Sequence, residues 1–182
     1  MTPAGLTLVT PRLRMRPLRS ADAERLHVHW NDPGVRRYLF DDEPVPTPLV
    51  LAIIERSDRD FAVHGYGLWT LTARGTATGE LLGVSGLRRI DHGIELVCSV
   101  ADRHRGEGLA VEACRAVLKY AFGTLGPDRV IAEIDAGNRE SVRLAERLDM
   151  VRTRAEADAT GLVRFEATAP WTGRDEAAIR RT

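Results

Sequence analysis

The sequence predicts an α+β domain built on a mixed, mostly antiparallel sheet flanked by helices, and three features carry that expectation. Three β-patterned runs in the middle of the chain lie close enough together to form a meander. A long amphipathic helix follows them across a turn with two glycines. A further strand, helix and strand then close the chain. With 182 residues, 43% of them hydrophobic and 29% charged, the chain suits one soluble domain with a substantial core. The whole of 1–182 reads as a single domain, its core spanning about 10–171.

Each element has a local reason. Alternation over residues 12–16, with Leu13 and Met15 apolar, predicts the first strand. Ser20 stands where a helix cap belongs, with Asp22 and Glu24 in the first turn and Ala23, Leu26, His27 and Trp30 at helical spacing. Asn31-Asp32-Pro33-Gly34 reads as the end of that helix. Residues 41–46, polar and rich in proline, form a loop. Thr47 as cap and Pro48 at the first helical position open a helix over 49–56. Strands are expected over 67–72, 80–87 and 93–100, the first two joined by the hairpin-type loop 74–79. A helix over 109–121, a strand over 129–134, a helix over 141–148 and a strand over 162–169 complete the order. There are no repeats and no low-complexity tract.

Composition narrows the function. The 26 basic and 26 acidic residues leave no net charge, which argues against a nucleic-acid or anionic-membrane partner. The chain has no apolar run of membrane-spanning length, and its first residues lack a secretory pattern, so a cytoplasmic location is expected. Cys98 and Cys114 fit that compartment as structural thiols, with Cys114 on the apolar stripe Ala110, Cys114, Val117, Ala121. His27, His29, His92 and His104 have no metal-ligand partner at useful spacing, so no metal is expected.

The run Arg103-His104-Arg105-Gly106-Glu107-Gly108 carries the chemistry. Two glycines let the backbone turn tightly against a ligand, and the helix they open offers free N–H groups and a partial positive charge. Together these make a cradle for a diphosphate, with Arg103 and Arg105 on its rim. A turn of this kind also serves as a plain connection. A Rossmann site would need a third glycine, and a P-loop would need Gly-Lys-Ser/Thr; both are absent.

This order of elements, with the glycine turn between the third meander strand and the long helix, resembles the GNAT N-acetyltransferase superfamily. Arg103-His104-Arg105-Gly106-Glu107-Gly108 matches the family pattern Arg/Gln-x-x-Gly-x-Gly/Ala. The segment from Thr10 to Leu18, the run from Gly106 to Ala113, and Gly137-Asn138-Arg139-Glu140-Ser141 resemble the RimJ/RimL-like branch. The likeness runs from about Thr10 to Trp171 and implies a GNAT-type sheet. It also implies acetyl-CoA as cosubstrate and transfer to a primary amine, on a small molecule or a protein N-terminus, by direct attack in a ternary complex.

By the same resemblance, Arg103, Arg105, Gly106, Glu107, Gly108, Leu109 and Ala110 grip the cofactor. The main chain of the preceding strand, Cys98 and Val100 included, lies beside it. Asn138 is expected on the pantetheine arm and Ser141 near the sulfur, as a weak acid. Either could instead simply belong to the helix start, Asn138 as its cap. Many relatives carry a tyrosine acid where this chain has Ala145, and Gly-Phe where it has Asp149-Met150.

Glu95 is the candidate base, aimed at the cleft from one strand face with Val97 and Ser99; an ion-paired strand glutamate is the alternative. Trp30, Tyr38 and Trp69 could wall an acceptor pocket or belong to the core. The run Asp41, Asp42, Glu43 could attract a cationic amine or be a solvated loop. Balanced charge inclines the acceptor toward a small molecule. A non-catalytic acyl-CoA-binding module is the rival function, and nothing in the sequence decides between a monomer and a homodimer.

Overall fold

Apolar residues alternate through Leu13-Arg14-Met15-Arg16-Pro17, and Leu13 and Met15 are fully buried while Arg14 stays outside. In the computed structural model, which describes residues 6–75, 79–153 and 160–173, this is strand β2 (Leu13–Pro17), following a short β1 (Leu8–Val9). Next come α1 (Ala23–Asn31), α2 (Pro33–Leu39) and α3 (Thr47–His64), then the meander β3 (Leu68–Ala73), β4 (Gly83–Ile90) and β5 (Gly93–Val100). The chain continues through α4 (Leu109–Tyr120), β6 (Arg129–Asp135), α5 (Arg139–Arg147), β7 (Val151–Arg152) and β8 (Leu162–Thr168). Part of the expected hairpin loop, residues 76–78, lies outside the described residues.

One sheet orders these strands β1-β2-β3-β4-β5-β6-β8-β7. Every pairing is antiparallel except β5 with β6. Helices cover both faces, and neighbouring residues of β4 serve opposite layers. Val84 joins Leu26, Trp30, Val50 and Ile54 from α1 and α3, whereas Ser85 meets Cys114 of α4 at 3.7 Å. The α4 side holds the larger cluster, including Ala113, Val117, Ile134, Leu148 and Phe165.

The helices differ from the sequence expectation in instructive ways. Asp32-Pro33, read as a stop, starts a second helix: the Asp32 carboxylate accepts the Gly34 N–H at 2.9 Å and Pro33 opens α2. Helix α3 begins at Thr47 and continues past Arg56 to His64. Val50, Ile54, Ser57 and Phe61 bury one face, and Gly65 ends it in the left-handed region at φ 77°. Of the polar stretch after Arg56, Ser57 belongs to that buried face and Arg59 to the wet side.

At the start of α1, Asp22 replaces Ser20 as the organising residue. Its carboxylate, fully buried, accepts from Arg16 Nη1 and Nη2 at 2.7 and 2.6 Å, from Arg25 Nη2 at 2.6 Å and from the Arg19 N–H at 2.9 Å. Burial alone would raise its pKa, but these bonds and the nearby guanidinium charge hold it below the ordinary value. Asp149 sits at φ 56°, a left-handed conformation that aspartate tolerates at some cost and glycine adopts without strain.

Candidate active site

Strands β5 and β6 pair only at Glu95 opposite Ile131 among the described residues. Beyond that point they part, and residues 96–100 of one and 132–135 of the other line a cleft of about 460 Å³. The divergence leaves main-chain groups of both strands without a ladder partner, which a ligand's amides can satisfy. Leu96 and Cys98 pack on the α4 side, whereas Val97 packs on the α1–α3 side. The cleft is therefore open from both layers of the sandwich.

The glycine turn closes its mouth. Gly106 and Gly108 both adopt φ 78°, and a Cβ on Gly106 would meet nothing within 4 Å. The N–H groups of Gly106, Glu107 and Gly108 and those opening α4, on Leu109, Ala110 and Val111, find no acceptor among the described residues. Six donors at a helix start make an anion cradle that fits a diphosphate. Arg105 lines the mouth, held to Asp102 at 3.0 Å and Glu140 at 3.4 Å.

A residue that sequence reasoning left out braces this turn. Arg12, from the loop before β2, donates through its main-chain N–H at 2.8 Å and Nε at 2.6 Å to Glu112, and through Nη1 at 2.8 Å to the Glu107 carbonyl. Glu112 also takes the Thr10 hydroxyl. The N-terminal segment thus clamps the first turn of α4, a contact spanning about a hundred residues that no local pattern reveals.

The candidate side chains divide by place. Glu95, Cys98, Val100, Arg105, Gly106, Gly108, Leu109, Ala110, Asn138, Ser141 and Tyr38 all line the cleft. Arg103 and Glu107 do not: Arg103 pairs with Glu80, away from the turn's inner surface, and Glu107 contributes its carbonyl to Arg12. Trp30 and Trp69 are corrected to core residues. Trp30, 3% exposed, packs on Phe40, and Trp69, fully buried, packs edge-on to Phe61 and Tyr120. Asn138 caps α5 by accepting the Ser141 N–H at 3.1 Å. Glu95, 4% exposed, is bound by Arg88 directly across the strand pair. Asp42 pairs with Arg36 at 3.0 Å, so the acidic run is partly spoken for within its own loop.

His29 is a second residue that sequence reasoning passed over. It lies on α1, 6% exposed, and its Nε2 shares a hydrogen bond with the Ser99 hydroxyl at 2.9 Å. Burial lowers its pKa from 6.5 to about 4, with Arg105 and Arg103 adding to the effect against Asp32. The unfolded chain therefore takes up a proton near pH 6.5 that the folded imidazole refuses until about pH 4. Stability falls as pH drops through that window, by about 2 kcal/mol from this group between pH 7.5 and pH 5. Urea unfolding at the two pH values measures it, and His29→Gln is expected to flatten the slope. An unchanged slope would show that His29 is charged in the folded protein.

Residues 12–151 match the acetyltransferase (GNAT) domain family. The chain is a GNAT acetyltransferase. Protein YkkB of Bacillus subtilis (strain 168) is 34% identical to it over 153 residues, 81% of this chain and 86% of YkkB. The spermidine N(1)-acetyltransferase of Escherichia coli (strain K12) is 25% identical over 145 residues, 75% of this chain and 71% of that enzyme. Among solved structures, RimL, a ribosomal L7/L12 alpha-N-protein acetyltransferase in complex with coenzyme A, aligns with a TM-score of 0.73 over 88% of this chain and 96% of RimL. At 12% identity that likeness is one of fold. GNAT acetyltransferases draw their acyl group from acetyl-CoA, and the cradle of free amides above a parted strand pair suits that donor. No helix among the described residues is long and apolar enough to cross a membrane.

Proposed function

We propose that this acetyltransferase acts in the cytoplasm and transfers an acetyl group from acetyl-CoA to a primary amine, on a small molecule or a protein N-terminus, by direct attack in a ternary complex. The observation that carries the reading is the row of unengaged N–H groups from Gly106 to Val111 at the mouth of a cleft between diverging strands. Acetyl-CoA supplies an activated acyl group and a thiolate that leaves readily. The amides of the turn and the positive end of α4 hold its diphosphate, with Arg105 adding charge at the rim. Main-chain groups of β5 at Cys98 and Val100 bind the arm and polarise the carbonyl.

Positioning two reactants in one cleft supplies much of the acceleration. Glu95, paired with Arg88 at the closed end of the cleft, takes the amine proton through water. Ser141, in the first turn of α5, serves as the acid beside the departing sulfur. The names of two relatives, one acting on spermidine and one on a ribosomal protein, support an amine acceptor of either kind.

A thiol-release assay with peptides, polyamines and aminoglycosides tests the reading. At least one amine is expected to release free thiol in step with its own acetylation. Glu95→Gln is expected to lower kcat by about 100-fold, with acetyl-CoA affinity by calorimetry unchanged. Tight acetyl-CoA binding with no release from any amine would identify a binding module instead. Unaltered turnover across pH in Glu95→Gln would remove Glu95 from the reaction.

A further inference from the structure

Two polar side chains face the α1–α3 layer from β5 within the cleft, and they sit at opposite ends of it. Glu95 and Ser99 are four residues apart on one strand face, so their Cα atoms are separated by about 13 Å. Glu95 is committed to Arg88 where β5 and β6 still pair. Ser99 lies where the strands have parted, between Cys98 and Val100. Because side chains alternate across a strand, the residues on either side of Ser99 turn their side chains to the α4 layer while its hydroxyl turns to the other.

His29 holds that hydroxyl from behind, and its presence there is not explained by packing. Its helix neighbours Leu26 and Trp30 fill the α1–α3 core, and an apolar side chain would fill this 6% exposed position without the cost of desolvating an imidazole. Among the described residues, the bond to Ser99 is the one hydrogen bond its side chain makes. An imidazole that stays neutral near pH 7 offers one donor and one acceptor nitrogen, so it can fix the hydroxyl's rotation whichever tautomer it takes.

We infer that Ser99 is an acceptor-binding residue of this acetyltransferase and that His29 is its positioning residue. Held by His29, the Ser99 hydroxyl receives a hydrogen bond from the N–H of the incoming primary amine on the face opposite the acyl donor. The inference rests on the acetyl-transfer reading and adds to it the group that orients the amine. It requires no proton to settle on His29: the pair aligns the nucleophile, and the amine proton passes along the cleft to Glu95 through more than one water.

The test separates acceptor from donor. Ser99→Ala is expected to raise the acceptor KM about tenfold, the worth of one hydrogen bond, with acetyl-CoA affinity by calorimetry unchanged. His29→Leu is expected to give the same rise, and the double variant no more than either alone. His29→Gln, which keeps a donor near the Nε2 position, is expected to restore most of the loss. A second reading needs no turnover: the His29 ring nitrogens, followed by 15N NMR in coenzyme A-loaded protein, are expected to shift when spermidine or the peptide Ala-Gly-Gly is added, whichever supports thiol release. That response should vanish in Ser99→Ala. An unchanged KM together with a His29 response that survives Ser99→Ala would overturn the assignment. So would a loss of acetyl-CoA affinity equal to the rise in KM, which would mark a deformed strand. A wild type that releases no thiol from any amine overturns the acetyl-transfer reading itself, and the assignment with it.

Discussion

Gly106→Val is expected to weaken acetyl-CoA binding by at least about 100-fold while leaving the protein folded. Gly106 holds φ 78°, a conformation that a β-branched residue resists, and the new side chain would stand in open space at the mouth of the cleft. The strain costs about 1–2 kcal/mol, too little to unfold a domain of this size. The larger loss comes from the diphosphate. Each charge-assisted bond from a main-chain N–H contributes about 1.5–3 kcal/mol, and rotating or screening two of them gives the expected change. Gly108→Val tests the same left-handed conformation at φ 78°, with its Cβ in ordinary contact, 3.6 Å from Arg12 Nη2. Calorimetry with acetyl-CoA, beside a thermal melt, reads both effects. Affinity within threefold of wild type in a folded Gly106→Val protein would show that the turn is not the grip.

Asp22→Ala should produce the largest loss of stability among single substitutions outside the apolar core. The carboxylate is fully buried and satisfies two arginines and one main-chain N–H. Removing it leaves the Arg16 guanidinium, itself half-buried, with its charge unmatched, and such a break costs about 3–5 kcal/mol. For a chain of this length that corresponds to a fall of about 10 °C in Tm. Asp22→Asn should fall between the two, since it keeps the shape and loses the charge. A change below about 1 kcal/mol in chemical denaturation would mean that the cluster returns no more than its own desolvation.

Features of the site that arise from adjacent residues were legible in the sequence, and those that depend on distant partners were not. Gly106, Gly108 and the helix they open were legible because a left-handed turn and a helix start are written in adjacent residues. Asn138 showed both of its readings for the same reason, and its side chain caps α5. The placement of Trp30, Trp69 and Arg103 was not legible. Aromatic spacing along a helix or strand does not say which layer will close over it, and a rim arginine pairs with whichever acid the fold brings near, here Glu80. Asp32-Pro33 was ambiguous in principle, because a residue that ends one helix can equally cap the next.

Taken alone, the chain's pattern determined the α+β class, the meander, the long helix and the two-glycine turn, since periodicity, caps and glycines act over a few residues. Only the tertiary structure decided where β5 leaves β6, that Arg12 would clamp the glycine turn, and that His29 would meet Ser99 across 70 positions. Those outcomes depend on which faces the packed layers press together, and a sequence records each face separately without recording the partner it will find.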